Sequence, residues 1–225
     1  ASSAHSHHGM AERVRDSWRR RSTHPLGGYT DSGQERRTLV VWSSGKAMID
    51  DFDTDTLTKT ARIGFLLACT ERIKHHFTRH PVTQGSIEKL TREVWSWLSQ
   101  RQPSCSAIYR GNNPVLMEQE LLYHGDPVLL KAFHAVLYMH LYTMHKMHAI
   151  EFFESGGIEP AVGSDVFEVE EDYFFKCVNS CIDLSQEPAA TQVWVENTMA
   201  RLHREHSPAK EDDHGRPVSM KDFQT

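Results

Sequence analysis

Neither an apolar run of membrane length nor a recognisable catalytic signature is present in these 225 residues. The longest apolar stretches, 63–69 and 135–141, fall far short of the roughly 20 residues that a membrane helix needs, so no spanning segment is expected. The arginine-bearing start, Arg13 to Arg21, is followed by no hydrophobic region of the kind a secretion signal requires. Residence in the cytoplasm is the expectation that follows. Cysteine is scarce. Cys69, Cys105, Cys177 and Cys181 lack the dense, regular spacing of a disulfide scaffold and contain no CxxC pair, so they read as reduced thiols. Positive charge is also short, because the net charge is −5. A protein whose main task is to hold nucleic acid needs a basic face to displace counterions, so that class is disfavoured.

What is present suits a folded domain. Apolar residues make up 39 % and charged residues 24 % of the chain, too apolar for general disorder, and the length favours one sizeable core. Residues 1–9, ASSAHSHHG, are small, polar and histidine-bearing and precede Met10, so they read as a cloning remnant. Pro25, Gly27, Gly28 and Gly33 break up the following stretch, so 1–37 is expected to be a flexible segment. Residues 38–42, β-branched and apolar, fit a short strand, although so short a run fits a piece of helix as well.

From Asp55 onward the periodicity is helical. Ile63, Leu66, Leu67, Thr70, Ile73 and Phe77 mark a first helix ending before Pro81, and Ile87, Leu90, Val94 and Trp97 mark a second. A third is expected to open at Asn113–Pro114 and to end at Gly125. Asp126–Pro127 opens the longest run, which Gly156–Gly157 should stop, and two more helices follow over 166–184 and 188–206. The expected fold is mainly α, an irregular multi-helix bundle over 38–206, with a mobile charged tail over 207–225.

Three features bear on chemistry. On the long helix, His134, His145 and His148 project within about 60° of one another on a helical wheel, an arrangement that could hold a metal in a helical enzyme. The same face carries Tyr138, Leu141 and Phe152, and the i, i+4 pair with a placed carboxylate is missing, so a structural role is preferred. The second feature, Trp42-Ser43-Ser44-Gly45-Lys46, fails as a phosphate loop because Val40 and Ala47 stand where glycine and Ser or Thr are required. With no GxSxG elbow either, no catalytic residue and no cofactor are assigned. Third, Glu151, Glu154, Glu159, Asp165, Glu168, Glu170, Glu171 and Asp172 follow one another with no lysine or arginine between them. Such a run is either a solvated loop leading into a helix or a face that steers a basic partner.

The segments TLTKTARIGFLLACTERIKHHF, WSWL, the long aromatic-bearing helix, DVFEVEEDYFFKCVNSCIDL and QVWVENTMARL, in that order, resemble the Imm5 type of immunity protein over about 56–206. The resemblance implies a helical protein that binds and neutralises the cognate toxin of a bacterial polymorphic toxin system, with no cofactor and no membrane. The acidic run adds that the toxin presents a basic groove, as a nuclease would. Glu168, Glu170, Glu171 and Asp172 are then the expected contacts, with Trp42 as an aromatic anchor.

Overall fold

A computed structural model describes residues 56–123, 125–169, 171–208 and 213–223. The chain divides into a unit over 1–40 and a second over 41–225, and all described residues belong to the second. The expected strand at 38–42 and Trp42 lie outside the described residues. Within them the protein is mainly α, with six α-helices and no strand. These are α1 (Lys59–Ile73), α2 (Pro81–Gln100), α3 (Cys105–Gln119), α4 (Pro127–Glu154), α5 (Asp172–Leu184) and α6 (Pro188–Glu205).

α4 is central, packed by α1, α3 and α5, while α2 lies on α1 and α3 and α6 on α5. Its sequence is apolar on every side, which suits a helix enclosed by others. The Asp126 side chain accepts from the N–H groups of Val128 and Leu129 at 3.0 Å, so its start is capped. At its end Gly156 (φ +73°) and Gly157 (φ +95°) take the left-handed conformation and donate to the carbonyls of Phe153 and Phe152. The core joins four helices through aromatic rings: Phe65 of α1 stacks on Trp194 of α6 at 5.4 Å, and Phe174 of α5 lies beside both Phe65 and Tyr142 of α4.

Three expectations fail here. α3 begins at Cys105, not at Asn113–Pro114, because Ser104 caps it by accepting from the Ala107 N–H, and Pro114 sits inside the helix. Proline has no N–H to donate, so the Arg110 carbonyl loses its helical hydrogen bond, and Arg110 is exposed, where water can replace it. The expected helix over 166–184 is a 3₁₀ turn, Ser164–Glu168, then an extended Val169, with α5 starting only at Asp172. The tail, finally, is packed rather than mobile over 213–223, where Val218 and Phe223 are buried. A methyl group on Gly64 would meet Phe223 at 2.7 Å and Val218 at 2.9 Å, so α1 carries glycine where the tail crosses it. No side chain caps α1. Carbonyls of the C-terminal segment do so instead: His206 accepts from the Thr58 N–H and His214 from the Thr60 N–H. Two buried apolar residues and a set of cap bonds thus offset an ordering cost that composition alone made look prohibitive.

Candidate functional site

The acidic run spans the last turn of α4, the connection beyond it and the start of α5, and four of its eight carboxylates are bonded to residues distant in sequence. Glu151 accepts from the Trp97 indole N–H at 2.5 Å and from the Cys105 N–H at 2.7 Å, tying α4 to α2 and to the start of α3. Glu154 receives a forked pair of bonds from Arg101, whose guanidinium also lies over the Trp97 ring. Asp165 accepts from the Tyr109 hydroxyl at 2.6 Å and from the Asn113 amide at 3.0 Å, holding the 3₁₀ turn against α3. Burial, and then that bond to Asp165, push the Tyr109 hydroxyl well above its ordinary pKa.

Glu171 has the most bonds. Its carboxylate accepts from Lys146, from Arg62 Nη1 at 3.0 Å and from the Tyr142 hydroxyl at 2.8 Å. Lys146 and Arg62 are buried, whereas the Glu171 side chain is 49 % exposed, so it reaches inward from the surface to two sequestered cations. Burial acts to raise the Glu171 carboxyl, but Lys146, Tyr142 and Arg62 outweigh it and hold it below its ordinary value. Burial also lowers the Lys146 ammonium, against the pull of Glu171.

The residues expected at a partner interface therefore divide. Glu168 is exposed on the 3₁₀ turn, and Asp172 is paired with Lys176 one turn along α5 at 2.6 Å. Glu171 has its carboxylate engaged within the molecule, and Glu170 and Trp42 lie outside the described residues.

The same connection exposes large apolar side chains that the sequence reading missed. Phe152 is 44 % exposed, Phe153 56 %, Ile158 72 % and Phe167 48 %. The three phenylalanines each rest against a histidine. The His148 ring stacks parallel to Phe152 at 6.5 Å and meets Phe167 edge-on at 4.8 Å, while Phe153 sits edge-on to His214 at 4.9 Å. The doublet Phe152-Phe153 carried a signal. Adjacent helical residues point about 100° apart, so two aromatics beside paired glycines at a helix end are unlike a buried stripe.

Of the three histidines singled out on α4, His134 stands apart from His145 and His148, which both lie against Phe167. A wheel projection discards axial rise, and at 1.5 Å per residue His134 and His148 stand about 21 Å apart along the helix. His134 pairs with buried Glu120 at 2.9 Å, His145 Nδ1 meets the Val166 carbonyl at 3.2 Å, and His148 Nε2 lies 3.8 Å from Glu159. Among the described residues no three His, Cys, Asp or Glu side chains are grouped to hold a metal ion. All four cysteines are buried and unpaired, and burial raises the thiols of Cys69, Cys105 and Cys177.

No helix among the described residues is long and apolar enough to cross a membrane. A scan against protein-family models, a search of curated proteins and a search of solved structures each found no match to this chain.

Proposed function

We propose that this protein is an immunity-type inhibitor that neutralises a cognate bacterial toxin by stoichiometric association, with the α4–α5 connection as its docking face. One observation supports the reading above others: four large apolar side chains stand exposed together with Glu159 and Glu168 in a stretch that contains no lysine or arginine. Exposed aromatics anchored at their bases suit the centre of an interface, since removing them from water supplies the affinity and their rings lose little entropy on binding. Carboxylates around them suit a basic partner, such as the substrate groove of a nuclease, whose approach they accelerate. The internal bonds of Glu151, Asp165 and Glu171 serve the same end by fixing the connection before the partner arrives.

Neutralisation would take place in the cytoplasm of the producing cell, a setting suited to four unpaired thiols. The test is coexpression with the toxin encoded beside this gene. A one-to-one complex whose association slows as salt is raised is the expected result; no complex at micromolar concentration would overturn the proposal.

A further inference from the structure

Midway along α4 lies a small internal chamber between α1, α2 and α4, lined by Leu67, Thr70, Thr91, Val94, His140 and Thr143 among others. Its polar lining is unsatisfied in an unusual way. Thr91 Oγ1 and both ring nitrogens of His140 are buried with no hydrogen-bond partner, and neither residue is more than 3 % exposed. Buried imidazoles and hydroxyls nearly always have partners, since leaving them bare forfeits the water they bonded before folding. Thr70 offers little help, because its hydroxyl already donates to the Leu66 carbonyl and lies against Met139 Sδ.

We infer that this chamber is a binding site for a single ordered water bridging Thr91 Oγ1 and a ring nitrogen of His140. Three properties select that ligand. The free space is the size of one water and no larger. No charged side chain lines it, so an ion would enter without a counter-charge and at a high desolvation cost. The orphan groups comprise a hydroxyl that both donates and accepts and an imidazole that, when neutral, donates at one nitrogen and accepts at the other. Only a neutral molecule with both capacities serves them, and at this size that molecule is water. The bridge would join α2 to α4 at a level where most of the neighbouring side chains are apolar, fixing the rotation of one helix against the other. It is independent of the docking face and stands whether or not a toxin binds.

A crystal structure of the wild-type protein, at a resolution that shows ordered solvent, is the test. Density for one water within about 2.7–3.2 Å of Thr91 Oγ1 and of a His140 nitrogen is expected. Relaxation dispersion of solvent nuclei, which counts long-lived internal waters, should fall by one in Thr91→Val and again relative to wild type in His140→Leu. An empty chamber, a His140 ring turned to bond a protein group, or an unchanged count in folded Thr91→Val would overturn the inference. Should either variant fail to fold, the wild-type density alone decides.

Discussion

Two stretches of α4 carry polar groups out of water by opposite means. Around His140 the helix is sealed from water by apolar and threonine side chains, and the imidazole finds no partner within the protein. Six residues on, Lys146 is buried to a similar degree but sits among Glu171, Arg62 and Tyr142 in a network that opens to the surface. Burial drives both groups toward their neutral forms. It lowers His140 to about 4, whereas Glu171 works against the same push at Lys146. The first region sets stability, and the second sets the position of a surface. The connection beyond it extends the contrast, since its aromatic rings lie in water while those of the core do not.

The sharpest way to expose that division is one type of substitution made in both places. Phe223→Ala removes a ring packed on Gly64 and Trp95 and should cost about 3 kcal/mol, read by urea unfolding. Phe153→Ala in the exposed last turn of α4 should change stability by no more than about 0.5 kcal/mol. A large loss from the second would show that turn to be core.

A pH series tests the sealed region. The folded-state pKa of His140, about 4, lies below the ordinary value of 6.5. Between those values the unfolded chain binds a proton that the native protein refuses, so stability is full above pH 6.5 and falls as the medium is acidified toward pH 4. The loss from this group is about 3 kcal/mol, at 1.36 kcal/mol per pH unit. His145 and His206, also lowered chiefly by burial, act in the same direction. His140→Leu should flatten the curve between pH 6.5 and 4; an unchanged slope would remove His140 as its source.

In the networked region, Glu171→Gln leaves Lys146 and Arg62 buried beside a neutral amide. Truncating a fully buried pair costs roughly 3–5 kcal/mol, and the half-exposed carboxylate brings the expected loss to about 2 kcal/mol. Glu154→Gln breaks a pair in which both partners are substantially exposed and should cost less than about 0.5 kcal/mol. Equal effects at the two sites would contradict the distinction between anchor and surface pair.

Much of the helical framework was legible because its signals are local. Asp126–Pro127 and Gly156–Gly157 bracket α4, and the spacing of Ile63, Leu66 and Ile73 gives α1 its buried face. What escaped notice depends on partners far away in the chain. The acidic run looked unpaired because its donors, Arg62, Trp97, Arg101, Tyr109 and Lys146, come from four helices that no periodicity places beside it. The tail looked mobile because its charges outnumber its apolar residues, while the feature that receives it is a single glycine on α1. Pro114 points to a false start for α3 because proline suits a first turn, whereas here it sits inside the helix.

The central claim is that the exposed apolar residues at the end of α4 and in the connection to α5 serve association and not folding. The most direct test is the affinity of wild type and of a folded Phe153→Ser/Ile158→Ser variant for the cognate toxin that the proposed function requires. The account predicts at least about tenfold weaker binding, equivalent to 1.4 kcal/mol or more, through faster dissociation. Equal affinity of the two proteins would contradict it.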